Sequence, residues 1–417
     1  MKSNWLYTNS LLALLALVAI PLRVVAQDGP QQHPKHVRHY IVTDLGVLGA
    51  GTNSSAFDTN RLGWVSGSSN LIPDGPQHAF LSNGRGPLED LGTLEGSACP
   101  MCNSAADGPN RFGEAPIISE ISQTDPDGEE FCNFGTHLQC RGAIWRYGRM
   151  TALQNLPGGR NALSIGINNL GQIVGWAENG IRDPTCATAT PFQVFRFQAV
   201  KWEPNGEIRI LPPLKEKGDT VAFSFGINDH GQAVGSSGTC STQGVSANVT
   251  GLHAVRWERD GSPTYLGTLG DASNTMFNAA TSINDRGEVV GTSQFTDGTI
   301  HSFLWTRDTG MKDIGTLPGA FATIAPCCHT LNNRDEVVGF SIDGSGTTAF
   351  LWKDMVIRDL NSLIPTDSPL HLLTAESMND AGEIVGQGCV MPTCTELHAY
   401  RATPRRHHED FEEQEDE

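Results

Sequence analysis

Short apolar stretches alternate with polar ones along the chain, and glycine breaks the pattern every 8 to 12 residues. Segments such as EVVG (288–291) and HSFLW (301–305) are rich in β-branched and aromatic residues, which suit a half-buried pleated surface. No long stripe of 3.6-residue period appears, so the pattern predicts strands and tight turns rather than helices.

The pattern also repeats. One unit reads INDRGEVVG (283–291), a loop, HSFLW (301–305), a turn and MKDIGTL (311–317). The first segment recurs as INNLGQIVG (167–175), INDHGQAVG (227–235), LNNRDEVVG (331–339) and MNDAGEIVG (378–386). An early copy keeps Asn60, Gly63 and Gly67. A worn copy keeps Asn110 and Gly113, with Ile117 in place of the last glycine. The second segment occurs seven times: HAFLS (78–82), RGAIW (141–145), QAVKW (198–202), HAVRW (253–257), HSFLW, TAFLW (348–352) and HAYRA (398–402). Trp145, Trp202, Trp257, Trp305 and Trp352 end five of these. The third segment also occurs seven times, from DLGVL (44–48) and DLGTL (90–94) to DIGTL (313–317) and DLNSL (359–363).

A unit of about 50 residues fits four strands, a to d. Strand a runs up to the Ile or Leu before the repeated Asn. Asn-Asp-x-Gly forms the a–b turn, because these residues tolerate the positive φ of hairpins. The EVVG-like segment is strand b, which the last glycine ends. The HAFLW-like segment is strand c, and the MKDIGTL-like segment is strand d. The predicted fold is all-β: a seven-bladed β-propeller of four-stranded blades over residues 40–404. Unit seven has no strand d after HAYRA, whereas IVTDLGVL (41–48) is a strand d with no a, b or c before it. The N-terminal strand is therefore expected to pair with the last blade and close the ring, which removes sheet edges.

These motifs carry a family resemblance. Over about residues 40–404 the chain resembles the bacterial extracellular repeat family named HAF, after the sequence at His78, Ala79 and Phe80. The resemblance implies secretion and a repeat architecture. It supplies no catalytic residues.

The ends of the chain set its address. Residues 1–26 read as a secretory signal peptide: Lys2, the apolar LLALLALVAIPL (11–22), then Val24, Val25 and Ala26 before the cut. Residues 27–39 are a linker. The mature chain has 26 basic and 46 acidic residues. Seven of the acids fall in EDFEEQEDE (409–417), so 405–417 is expected to be a disordered acidic tail. This balance excludes nucleic acid and anionic membrane as partners of the mature form. The protein is expected to be a monomer, secreted to the extracellular space or periplasm.

All ten cysteines fall on the b–c and d–a side of the expected blades. An even number in a secreted chain favours disulfides. Cys132–Cys140 and Cys389–Cys394 suit local staples, Cys99–Cys102 is a third candidate, and Cys186–Cys240 would tie neighbouring blades. Cys327 and Cys328 are adjacent, closer than an ordinary disulfide allows. Either they form a vicinal ring or one of them pairs elsewhere. The connectivity stays open at this point. An alternative is a metal site: Cys99, Cys102, Cys132, His137 and Cys140 have the donors of zinc centres, although secretion favours oxidation over metallation.

No Gly-x-Ser-x-Gly elbow, Walker loop, HExxH or EF-hand loop is present, and no cofactor is expected. His78, His253, His301 and His398 share one strand-c position in separate units, so they are expected to hydrogen-bond a neighbouring strand. Strand a should lie nearest the channel, at Ile165, Phe225, Thr281, His329 and Glu376. His329 and Glu376, in adjacent blades, could form a His–carboxylate pair for acid–base work or for holding a cation. With His137 and Asp183 they are the catalytic candidates. Trp176, after strand b, is the ligand-face candidate. The b–c connections 118–140, 176–197 and 236–252 are long and unequal, and variable loops on a regular scaffold often carry function. The expected function is a secreted binding or interaction scaffold that meets a protein or glycan ligand through this b–c face. The alternatives are an extracellular hydrolase or lyase acting on carbohydrate or ester substrates at the channel mouth, and a structural surface protein without a defined ligand.

Overall fold

The structure is a computed structural model that describes residues 38–84, 87–188, 193–240, 253–270 and 278–405. Residues 1–26, expected to be a signal peptide, the acidic residues from 406 on and parts of two insertions (189–192 and 241–252) lie outside them. The chain is all-β. Five four-stranded sheets and one eight-stranded sheet make up the described residues, and each repeat unit supplies one four-stranded antiparallel ladder. In the eight-stranded sheet the ladders of units five and six are joined by one parallel pair, Ile300 with Ala322. No sheet closes on itself.

Unit three shows the plan. Its strands are Ala162–Ile167, Ile173–Arg182, Phe195–Trp202 and Ile208–Leu211, paired in that order. In unit seven the fourth strand comes from the other end of the chain. Tyr40–Gly46 lies antiparallel to Leu397–Pro404, with Tyr40 opposite Pro404 and Gly46 opposite Ala399.

The glycine expected to end strand b sits inside it. In unit four, strand a bulges between Ser224 and Gly226, and Ser224 pairs with Gly235. A Cβ on Gly235 would lie 1.9 Å from the Phe223 carbonyl oxygen, so only glycine fits this close approach. The bulge adds one residue to the inner strand and turns its end.

The strand-c histidines are structural, as expected. Nδ1 of His78, His301 and His398 lies 2.9 Å from a carboxylate oxygen of Asp90, Asp313 and Asp44 respectively. Those aspartates open the Asp-x-Gly of strand d, and each also accepts the glycine N–H two residues on, at 2.8 Å. The His and Asp-x-Gly motifs are thus two halves of one contact. In unit four Asp219 takes the aspartate's place beside His253, at 2.9 Å. These pairs are partly exposed, so Asp313→Asn is expected to lower stability by no more than about 1 kcal/mol, read from the midpoint of urea unfolding.

Packing between units falls to the tryptophans. Trp202 and Trp257 are fully buried, and their indole N–H groups donate to the Gln154 and Pro212 carbonyls of the preceding unit, at 2.8 and 2.7 Å. All ten cysteines are paired, as Cys99–Cys102, Cys132–Cys140, Cys186–Cys240, Cys327–Cys328 and Cys389–Cys394. The vicinal alternative is therefore the one adopted. The zinc alternative is overturned, because Cys99, Cys102, Cys132 and Cys140 have no thiol left to ligate a metal and His137 pairs with Glu130 instead.

Candidate functional site

The a–b turns build the site. The repeated Asn was expected to help by tolerating positive φ, but only the glycine three residues later takes it, with Asp335 in its place in unit six. The Asn acts through its side chain. In unit four, Asn228 Oδ1 accepts the N–H groups of His230 and Gln232, at 3.1 and 3.0 Å. Its Nδ2 donates to Gln232 Oε1 and to the Asn284 carbonyl of the next unit, both at 2.9 Å. Every hydrogen-bonding group of the amide is used.

The same link recurs from unit to unit. Asn60 donates to the Asn110 carbonyl, Asn110 to Asn168, Asn168 to Asn228, Asn284 to Asn332, Asn332 to Asn379, and Asn379 back to Asn60, at 2.8 to 3.4 Å. Seven asparagines therefore form one hydrogen-bonded circuit. A second tier follows from the next residue of each turn: Arg61, Arg111, Asn169, Asp229, Asp285, Asn333 and Asp380. The Asp229, Asp285 and Asn333 N–H groups each donate to the side chain of the next member, at 3.1, 3.0 and 2.9 Å. The two tiers line a well of about 230 Å3 with His329 among its walls.

Below the circuit lies a cluster of titratable groups. His329 Nδ1 is 2.5 Å from Asp58 Oδ2, and Ser377 Oγ donates to Asp58 Oδ1 at 2.5 Å. Burial opposes protonation of His329, yet the Asp58 carboxylate, with help from Asp285 and Asp229, holds its pKa above the usual value. Burial pushes Asp107 up to about 8, reinforced by the charges of Asp58 and Glu376, and pushes Glu376 up to about 7. Ser377 bonds the carboxylate rather than the imidazole, so Asp58, not His329, is the hub that both side chains share.

Unit six accounts for the position of His329. Its strand a pairs Ile324 with Phe340 and next Leu331 with Val337. The six residues 325–330 thus stand opposite only Val338 and Gly339. This bulge meets several other units. Thr281 donates to the Ala325 carbonyl at 2.9 Å, Cys328 bridges Ser282, Met378 N donates to the His329 carbonyl at 2.9 Å, and His329 reaches Asp58. Asp107 and the two sulfurs of Cys327 and Cys328 lie within 4.8 Å of one another, but the sulfurs are spent on each other.

An apolar cluster gathers around the inner strands of units three and four. Phe131, Trp176, Phe197 and Phe223 pack with the Cys132–Cys140 and Cys186–Cys240 disulfides against the inner-strand residues Ile165 and Phe225. Trp176 is 2% exposed and meets the rings of Phe223 and Phe225 edge-on, at 5.0 and 5.6 Å between centroids. It is core and presents nothing to a ligand.

The catalytic candidates separate. Asp183 is buried against Arg196 Nε at 2.6 Å. His137 is exposed beside Glu130 at 3.3 Å. Neither bonds His329 or Glu376. The expected His329–Glu376 pair is replaced by His329–Asp58, with Glu376 one of the charges around Asp107. Sequence reasoning missed Asp58 and Asp107, although the offset that gives His329 and Glu376 gives Asp107 when counted from Asn110.

No family model matches the chain, and no curated protein matches it. Among solved structures it is similar to a Mycobacterium tuberculosis puromycin-hydrolysing peptidase, at 11% identity and a TM-score of 0.46, over 83% of this chain and 51% of that one. It is also similar to the β-propeller domain of the Trilobed protease from Pyrococcus furiosus, at 7% identity and 0.36, over 85% and 96%. A gluconolactonase from Xanthomonas campestris matches at 11% and 0.33, over 73% and 90%. The chain spans about half the length of the M. tuberculosis peptidase.

Proposed function

We propose that the chain is a secreted seven-bladed β-propeller of the HAF-repeat kind, closed by its N-terminal strand, that binds a small amine-bearing glycan in the well of its a–b face. The seven-membered asparagine circuit and the pairing of Tyr40–Gly46 with Leu397–Pro404 support the closed ring. Five disulfides fit an oxidising compartment. The well carries the functional proposal. It is smaller than the roughly 300–1,000 Å3 of pockets for drug-sized ligands, which suits a single sugar ring. Its second tier holds Asp229, Asp285 and Asp380 against Arg61 and Arg111, and Arg61 lies 3.5 Å from Asp380. Asp229 and Asp285 also raise the His329 pKa, which marks the field at the floor as negative. This proposal puts binding on the a–b face, where the well lies; in the b–c insertions Phe131, Trp176 and Cys186 are buried.

Glucosamine is expected to raise the Tm while glucose, which lacks the amine, does not, and Asp229→Asn with Asp285→Asn is expected to weaken glucosamine binding about tenfold. An equal response to both sugars, or no effect of the substitutions, counts against the proposal. The hydrolase alternative has one observation in its favour: the His329–Asp58 pair opens into the well with 35% of the His329 side chain exposed. Hydrolysis of a simple ester that disappears in His329→Gln would promote it.

A further inference from the structure

The third residue of each a–b turn lies outside the well. It is Leu62, Phe112 and Leu170 in units one to three, against His230, Arg286 and Arg334 in units four to six. Three large apolar side chains therefore follow one another around the rim, 67%, 58% and 57% exposed. Single exposed apolar residues are ordinary, whereas a run at one repeat position points to a surface that something covers. The asparagine circuit fixes them in place. The Leu62, Phe112 and Leu170 N–H groups donate to Oδ1 of Asn60, Asn110 and Asn168, at 2.9, 3.0 and 3.1 Å. Two arginines stand among them. Arg61 has 77% of its side chain exposed, with Asp380 as its partner at 3.5 Å. Arg111 lies over the Phe112 ring, 4.7 Å from its centroid, and no carboxylate pairs with it among the described residues.

The chain itself holds a segment of complementary chemistry. EDFEEQEDE (409–417) carries seven acids and one aromatic residue, Phe411. The strand before it, Leu397–Pro404, runs towards the a–b turns: Ala402 stands opposite Ile384, just after the unit-seven turn glycine Gly382. From that strand Arg401 Nη1 already reaches unit one, donating to the Gly63 carbonyl beside Leu62 at 3.4 Å. Phe411 follows Arg405 by six residues, which span up to about 20 Å when extended. We propose that residues 409–417 dock on the a–b rim of units one and two, with Phe411 against Leu62 and Phe112 and the acids towards Arg61 and Arg111. Asp229 and Asp285, in units four and five, repel the segment and keep it on that side. Tethering supplies a local concentration on the order of millimolar, so weak contacts suffice. The docking needs no ligand in the well.

The test is cleavage of the full chain by a glutamate-specific endoproteinase, with loss of the tail read by mass spectrometry. A free peptide of matching sequence over residues 406–417 controls for the effect of salt or substitution on the enzyme. At about 20 mM salt the tail is expected to be cut about tenfold more slowly than its peptide, and at about 500 mM salt at the same rate. Phe411→Ser, and Arg61→Gln with Arg111→Gln, are each expected to remove the protection at low salt. Phe411 lies outside the described residues, in the tail itself, so its substitution leaves the sheets intact. Cleavage at the rate of the peptide at low salt overturns the proposal. So does protection that survives the arginine substitutions, which places the tail elsewhere, and protection that weakens on dilution, which places it on a second copy of the chain.

Discussion

Asn228→Ala is expected to lower the free energy of unfolding by about 3–5 kcal/mol, far more than the loss of an exposed polar side chain. Alanine leaves the N–H groups of His230 and Gln232, both part-buried, without an acceptor, and the Gln232 side chain and the buried Asn284 carbonyl without a donor. A fully buried orphan costs on the order of 1–3 kcal/mol, and a part-buried one costs less where water reaches it. Asn228→Asp separates the two halves of the role. It keeps both accepted bonds but points a carboxylate at two oxygens, so it is expected to destabilise at pH 7 and to recover partly at pH 4, where one oxygen can donate again. Urea unfolding at both pH values reads the two effects. A loss below about 1 kcal/mol for alanine would show that backbone pairing alone holds the turns.

The repeat was fully legible because each unit restates its own grammar. The four strands follow from β-branched runs between turn residues, and the strand-c His with the strand-d Asp-x-Gly was visible as two motifs, though not as one contact. The asparagine role was half legible. Its place in a hairpin suggested positive φ, whereas Glu114, Gln172, Gln232, Glu288, Glu336 and Glu383, four residues after six of the asparagines, were the sign of a side-chain hub. A polar partner at a fixed offset says more about a hydrogen bond than turn propensity does. The b–c insertions were legible as length but not as packing: in their described parts, buried Trp176 and the paired Cys186 and Cys240 join an apolar cluster against inner-strand residues. The bulge at 325–330 was not legible, since extra residues in an inner strand look like any other loop until the register is known.

Stability is expected to peak near pH 5 and to fall steadily up to about pH 8, the reverse of a protein held by ionised acids. Asp107 and Glu376 carry the effect. Their folded pKa values, about 8 and about 7, lie above the ordinary 3.8 and 4.5 because burial, and for Asp107 the neighbouring Asp58 and Glu376, disfavours charge. The folded state therefore keeps protons that the unfolded chain releases from about pH 4 upward. Stability is complete below that point and declines until the folded groups themselves ionise. Each group loses about 1.4 kcal/mol per pH unit within its window, so the pair accounts for roughly 4 kcal/mol or more between pH 5 and 8. His329 acts in the same direction: its raised pKa adds stability below its ordinary value of 6.5, and that is lost as pH climbs through the folded value. On the acid side, Glu336 resists burial through Lys353, Asn332, Arg38 and Arg334, which hold it at about 2. Its contribution is present above pH 4.5 and disappears as pH falls toward 2, which gives the curve its acid limb. Asp107→Asn and Glu376→Gln are expected to flatten the alkaline limb and to raise the Tm at pH 8 above that of the wild type. General repulsion within an acidic chain would also lower stability with rising pH, but it would leave the slope of these two variants almost unchanged. A wild-type Tm that stays level from pH 5 to 8, or variants that keep the wild-type slope, would remove these two carboxyls from the account.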